Sequence, residues 1–346
     1  MRGENALFLR NCWQVAAFSS EIIGGRLLAR TILDERLVLF RTLNGDLAAF
    51  EDRCPHRSAP LSRGRIVGET LECGYHGLCF DKSGQCVSIP GQTQIPPRAR
   101  VRVYPILERH KCVWIWMGDA QLADPDQIPD VRWMDDPQWV ASDGYHHLHA
   151  NYLLINDNLL DLSHETYVHA RTIGNEAVAD SPVTVHVEPG EVRLDKLMTG
   201  CHPPPFYQYL AKLLPTHRVD RWQRTAYRPP GYIVIDVGVQ PLDDVAGANR
   251  VEGRVINLIT PETATSTHYF WAFARNFRLE EPAVTEFLRE NVRRTFDEDK
   301  EMLEAQQRNL GSSSHPDLKV WIKADAGPTQ GRKALQIMSE REHQCA

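Results

Sequence analysis

The chain is 346 residues long and 42% hydrophobic, and its 39 basic and 45 acidic side chains sum to −6. Neither sign gathers in one segment, no run approaches the roughly 18 apolar residues of a membrane span, and residues 1–10 lack the basic start, apolar run and cleavage site of a secretory leader. Nucleic-acid and membrane partners are therefore excluded and a cytoplasmic globular protein is expected, with length for about two domains at roughly 150 residues each.

In chain order, the stretch from Leu27 to Met117 reads as short β-branched or aromatic runs broken by turn signals, which predicts an all-β domain with hairpins. Asn44-Gly45, between the runs Leu37–Phe40 and Leu47–Phe50, is the strongest of these signals and predicts a tight I′ turn, which needs positive φ at both central residues. Residues 118–139 are polar and punctuated by Pro125, Pro129 and Pro137, so the boundary is placed there, giving domains 1–118 and 119–346. The second half mixes helix formers without proline over residues 151–170 with strand-like alternation at 232–239 and 254–260, an α+β pattern. A long helix is expected over 282–309. From Gly331 onward the sequence is compatible with a polar helix or a frayed tail.

Eight cysteines are too few for a disulfide scaffold, and in a reducing compartment a cysteine cluster points to metal or catalysis. Cys12, Cys112, Cys201 and Cys345 are scattered and read as packing thiols, as do Cys79 and Cys86. Cys54-Pro55-His56 and Cys73-Gly74-Tyr75-His76 differ: two Cys/His pairs, each close enough to chelate, sit on two loops. A four-coordinate structural zinc and a [2Fe–2S] cluster with both cysteines on one iron and both histidines on the other fit that donor set. The Cys…His order repeated in both halves favours the cluster, in which each loop gives one ligand to each iron.

A second constellation follows at Asn158, Asp161, His164 and His169. On a helix the first three are each three residues apart and share a face among leucines. His169 lies about 140° from His164 on an ideal helix, so both imidazoles reach one metal only where the helix ends or bulges. Non-haem iron(II) takes two histidines and one carboxylate and keeps positions open for dioxygen. On the long helix Asp299 falls within about 20° of the centre of the apolar stripe formed by Leu288, Val292, Phe296 and Leu303, whereas Asp297, Glu298 and Glu301 point away from it as a solvated face. A carboxylate aimed into a core is paired or metal-bound, which makes Asp299 the third candidate ligand. Asn257, a polar residue alternating with Val255 and Ile259, is a candidate for substrate contact; His268, Trp271 and Arg275 are weaker ones.

Cys54-Pro55-His56-Arg57 with Cys73-Gly74-Tyr75-His76-Gly77-Leu78 resembles the Rieske signature of the Rieske non-haem iron oxygenases, and Asn158, Asp161, His164, His169 and Asp299 fall on that family's second motif. Asn11–Ala17, Ile89-Pro90-Gly91-Gln92, Trp114–Asp119 and Thr260–Thr263 resemble most the branch of vanillate O-demethylase and toluenesulfonate methyl-monooxygenase. The resemblance implies an N-terminal Rieske β-domain and a C-terminal α+β helix-grip catalytic domain, assembled as a homotrimer. It implies a Rieske cluster on Cys54, His56, Cys73 and His76, mononuclear Fe(II) on His164, His169 and Asp299, and Asp161 as the bridge that receives electrons from His76 of a neighbouring chain and holds His164. Electrons would come from NAD(P)H through a flavin and iron–sulfur reductase, and dioxygen would oxidise a methyl or methoxy substituent of a small aromatic acid. Ring dihydroxylation is the competing enzyme reading, and a Rieske electron-transfer protein the competing class.

Overall fold

The computed structural model describes residues 8–244, 246–313 and 320–344; Cys345 and most of the leader reading at residues 1–10 lie outside them. The chain divides into two compact units, Phe8–Pro129 and Asp130 onward. The division falls after Pro129 because the polar segment past Gly118 is tied to the first unit. Trp13 Nε1 donates to the Asp124 carbonyl at 2.7 Å, Arg109 to the Pro125 carbonyl at 2.8 Å, and the Asp119 amide to Asn11 Oδ1 at 2.8 Å.

The first unit is all-β. Its strands are β1 (Trp13–Phe18), β2 (Leu27–Ile32), β3 (Glu35–Arg41), β4 (Leu47–Glu51), β5 (Arg65–Val67), β6 (Thr70–Glu72), β7 (Cys79–Phe80), β8 (Cys86–Ser88), β9 (Ile106–Arg109) and β10 (Cys112–Trp116). They form sheets β1-β10-β9, β2-β3-β4 and β5-β6-β7-β8. The continuous apolar run Leu37–Phe40 is explained by β3 being buried on both faces: Leu37 and Leu39 join a core with Ile32, Val113 and Ile115, and Val38 and Phe40 one with Phe50, Leu71 and Phe80. Cys54 and Cys73 belong to the second core. The Asn44-Gly45 turn joins β3 to β4, yet only Gly45 takes positive φ, at 92°. Gly45 N donates to Thr42 O and Thr42 N to Asp46 O. One left-handed glycine after a right-handed turn meets the twist of the strands as a bulge-type hairpin, which corrects the expected I′ turn.

The second unit opens with β11 (Val140–Leu148), then α1 (Tyr152–Leu160), α2 (Glu165–Val168) and α3 (Glu176–Asp180). It continues through β12 (Val183–Glu188), β13 (Glu191–Cys201), α4 (Pro205–Leu210), β14 (Val219–Arg228), β15 (Tyr232–Pro241), β16 (Val251–Thr263) and β17 (Ser266–Arg275), and ends in α5 (Pro282–Leu310) and α6 (Ala326–Gln344). The strands make one antiparallel sheet, β11-β17-β16-β15-β14-β13-β12. Strands 12 to 17 follow one another as a meander, and β11 pairs with β17 across more than a hundred residues of chain, from Val140 opposite Arg275 to Leu148 opposite Thr267.

Helix α5 buries Val284, Leu288, Val292, Phe296 and Leu303, and Phe296 meets Trp271 and Tyr269 of β17 at ring distances of 5.6 and 5.0 Å. The start of α1 is fixed to α5 by the Asn151 amide donating to Gln307 Oε1 at 2.8 Å. Its end is fixed to α6 by Arg332, which grips the Asp157 carboxylate through Nε and Nη2. The last segment is therefore an ordered helix docked on α1, which decides between the two readings left open for residues beyond Gly331.

Candidate metal centres

The two Cys/His loops are built alike. In the first, Cys54 N donates to Ala59 O and Ser58 N to Cys54 O; in the second, Cys73 N donates to Leu78 O and Gly77 N to Cys73 O. Ser58 and Gly77, each four residues past its cysteine, both take positive φ. Gly74 is required by a close approach, since a Cβ there would lie 2.5 Å from the Arg63 carbonyl oxygen. The shared hydrogen-bond pattern turns each cysteine inward, 2% exposed, and leaves each histidine at the surface, with the His56 and His76 rings 4.5 Å apart.

Burial pushes the Cys54 thiol up to about 11, with the neighbouring Cys73 adding to the rise. A bound metal supplies the charge that holds such a thiol as a thiolate. A tetrahedral zinc, with bonds of about 2.0–2.3 Å, would draw its donors to within about 4.6 Å of one another. Among the described residues the three-ligand group that gathers within 4.8 Å is His164, His169 and Asp299, and no such group forms from the four cluster residues. Two inner sulfurs and two outer imidazoles are the donor set of a two-iron cluster with both thiolates on one iron and both imidazoles on the other.

In the second unit α1 stops at Leu160, and Asp161, at φ −123° and ψ 93°, begins a 3₁₀ turn over Leu162–His164 that leads into α2. Asn158, Asp161 and His164 therefore do not share a helix face as expected. The break swings His164 back so that both imidazoles converge: His164 Nε2 lies 3.4 Å and His169 Nε2 3.1 Å from Asp299 Oδ1. Asp299 reaches them from the buried stripe of α5, 5% exposed. Asn158 Nδ2 donates to Asp299 Oδ1 at 3.1 Å and lies 3.4 Å from His164 Nε2.

The outward nitrogens fix the tautomers. His164 Nδ1 faces the main-chain carbonyl of Asp161 at 2.5 Å, and His169 Nδ1 faces Glu298 Oε2 at 2.8 Å. Both partners accept, so each Nδ1 carries a proton and Nε2 is the atom each ring turns toward Asp299 Oδ1, donating to it when protonated and free to ligate a metal when not. His164 is thus held by the carbonyl of Asp161 and not by its carboxylate, which instead caps the turn through the Ser163 amide at 2.9 Å. Glu298 is not on a solvated face as expected; it orients His169 and also receives Thr172 Oγ1 at 3.4 Å. The helix angle alone misses it because the segment after α2 folds over that flank of α5. Asp297 does point outward, to His146 Nε2 and Arg293, and Glu301 is exposed.

Burial works against charge at all three converging groups. The hydrogen bond and charge of Asp299 nonetheless outweigh it at His164, raising that imidazole to about 9, and at His169. The two imidazoles in turn hold Asp299 well below the usual carboxylate range. Without a cation the site takes up protons, and a divalent metal answers the same demand while leaving both imidazoles neutral. Two imidazoles and one carboxylate, with the remaining directions open to a cavity, fit non-haem iron(II). Glu298→Ala is expected to weaken iron binding by about 10–100-fold, as loss of a partner to a ligating histidine does, read by anaerobic iron titration of the metal-free protein.

A cavity of about 70 Å³ lies beside the three ligands, walled by apolar groups such as Leu159, Phe206, Val255 and Phe273 and by polar Glu165, Arg221 and Gln223. Asn257 is not on that wall. It is fully buried in the sheet, donating to Ile233 O at 3.2 Å and accepting from the Tyr269 hydroxyl at 2.6 Å, a satisfied core residue and not the substrate contact expected. His268 pairs with the Tyr145 hydroxyl, Trp271 donates to His146, and Arg275 binds Thr285 and main-chain carbonyls. The sequence reading passed over Arg221 and Gln223; the signal was there in β14, where Arg221, Gln223 and Thr225 recur at the strand period of two and are all buried.

Residues 12–105 match the Rieske [2Fe-2S] domain family, and residues 148–341 the vanillate O-demethylase oxygenase C-terminal domain family. The chain is 41% identical over 346 residues to a toluene-4-sulfonate monooxygenase system iron–sulfur subunit of Comamonas testosteroni, covering 97% of this chain and 99% of the relative. It is 41% identical over 319 residues to a vanillate O-demethylase oxygenase subunit of a Pseudomonas species, covering 90% and 96%. Among solved structures it is similar to dicamba monooxygenase bound to 3,6-dichlorosalicylic acid, with a TM-score of 0.90, 34% identity and coverage of 97% and 99%.

Proposed function

The chain belongs to the Rieske non-haem iron oxygenases, and on that footing we propose that it is the oxygenase component of an aromatic monooxygenase that oxidises a methyl or methoxy substituent. The family carries a Rieske [2Fe–2S] cluster and a mononuclear iron. We assign the first to Cys54, His56, Cys73 and His76 and the second to His164, His169 and Asp299. The observation that carries the reading is the convergence of those last three side chains within 4.8 Å in a chain that also holds the two Cys/His loops, since a simple electron carrier has no use for a second metal site.

Iron bound by two imidazoles and a carboxylate supplies open positions for dioxygen and the redox chemistry that inserts oxygen into a C–H bond. The chain's own residues prepare that site. Glu298 and the Asp161 carbonyl keep the Nδ1 protons of His169 and His164 in place, and Asn158 anchors Asp299. The apolar wall around Phe206, Val255 and Phe273 excludes water and holds an aromatic ring beside the ligands. Oxygen insertion at the carbon of an aryl methyl ether gives a hemiacetal that collapses to a phenol and formaldehyde.

Oxygenase components of such systems work with a reductase. Here the partner is a flavin and iron–sulfur protein fed by NAD(P)H, the assembly is a homotrimer in the cytoplasm, and His76 of one chain passes electrons to Asp161 of the next. Asp161 lies at the break between α1 and the His164 turn, which puts one end of that relay next to an iron ligand.

The test is turnover with a surrogate reductase, NADH and a panel of methoxylated and methylated aromatics. Methoxyarenes should give formaldehyde and a phenol in equal amounts with dioxygen uptake, and methylarenes a benzylic alcohol. A cis-dihydrodiol as the main product throughout would establish ring dihydroxylation instead.

A further inference from the structure

Of the residues that line the cavity, Arg221 is the one arginine or lysine. It is 1% exposed, on β14. Its Nη2 donates to Glu165 Oε2 at 2.9 Å and its Nη1 to the Ile173 carbonyl at 3.0 Å. Glu165 directly follows the ligand His164, and its other oxygen receives Gln223 Nε2 at 2.5 Å. A buried polar atom left without a partner costs about 1–3 kcal/mol. Here Arg221 Nε and Gln223 Oε1 are both buried without a hydrogen-bond partner. The cluster thus holds one donor and one acceptor in reserve on the wall of the cavity.

Charge points the same way. The Arg221 guanidinium is the one arginine or lysine charge on that wall, and a carboxylate or sulfonate on the substrate would be its complement. We infer that Arg221 is the specificity residue that selects an anionic substituent on the aromatic substrate, with Glu165 and Gln223 setting the guanidinium in place. The inference rests on reading this cavity as the substrate site. The reserve donor Nε and the planar fork of the guanidinium suit an oxyanion, and the apolar remainder of the wall suits the ring.

Binding, not turnover, tests it: the metal-loaded oxygenase component without reductase is titrated calorimetrically with pairs that differ in charge, 4-methoxybenzoate against 4-methoxybenzamide and toluene-4-sulfonate against toluene-4-sulfonamide. At least one anion should bind roughly tenfold or more tightly than its amide. Arg221→Gln alone strands the Glu165 carboxylate in the interior, so the informative variant is Glu165→Gln with Arg221→Gln, which removes both charges together. That variant should bind the two members of a pair alike, and Glu165→Gln alone should tighten the anion further. Equal or weaker binding of both anions by the unaltered protein, a preference that survives in the double variant, or no binding of any of the four would overturn the inference. Anions that bind in the expected pattern and are never oxidised would overturn the proposed reaction and leave the role of Arg221 standing.

Discussion

Asp299→Ala is expected to give a protein with an unchanged red-brown Rieske spectrum, no mononuclear iron and no turnover. The carboxylate is the only acid in the converging group and both Nε2 atoms face its Oδ1, so its removal leaves two imidazoles with no anionic ligand beside them. Two neutral imidazoles without a carboxylate no longer make the donor set that holds Fe(II). The cluster loops belong to the other compact unit and share no ligand with this site. Asp297→Ala is the control, two residues earlier on the same helix: its carboxylate binds buried His146 and surface Arg293 and neither candidate iron ligand, so the change should leave iron content unchanged. Iron analysis with the visible spectrum of each variant checks both, and iron lost from the Asp297 variant but kept in the Asp299 variant would reverse the assignment.

Asp161→Asn should keep both metals and lose turnover by about 10–100-fold, the scale for a residue that acts through metal-bound imidazoles. An asparagine retains the oxygen that accepts from the Ser163 amide, so the turn over Leu162–His164 stays capped, and the main-chain carbonyl that holds His164 is untouched. What changes is the negative charge and the acceptor capacity offered to a neighbouring chain. Single-turnover reduction of the iron site with a pre-reduced cluster reads this step directly, and an unchanged rate would remove Asp161 from the electron path.

The cluster residues were legible because each Cys/His pair is contiguous and its loop is closed by local hydrogen bonds, so sequence spacing and spatial spacing coincide. Asp299 was legible for a different reason. A carboxylate in the middle of the stripe Leu288, Val292, Phe296 and Leu303 is a contradiction that a helical angle exposes. The same angle misplaced Glu298, whose surroundings come from residues 169–172, more than a hundred positions away. The end of α1 at Leu160 was also hidden, because Asp161 stops the helix through its own side-chain cap and not through a proline or glycine. Asn257 read as exposed to substrate only because the pairing of β15, β16 and β17, which surrounds it with Ile233 and Tyr269, is set by the sheet and by no local pattern. Arg221 could be seen as a buried strand residue, but its partner Glu165 lies on another element, and the meaning of the pair depends on both facing one cavity.

Iron and acid-labile sulfide, counted per chain on protein purified without oxygen, together with the electron paramagnetic resonance spectrum after reduction, test most directly whether one chain holds two iron centres built from separate ligands. About three irons and two sulfides per chain are expected, with the reduced signal of a cluster on two histidines and two cysteines, and a chelator should remove one iron and leave that signal intact. A colourless protein with one zinc per chain, or a cluster signal with two irons and no third even after anaerobic reconstitution, would contradict the account.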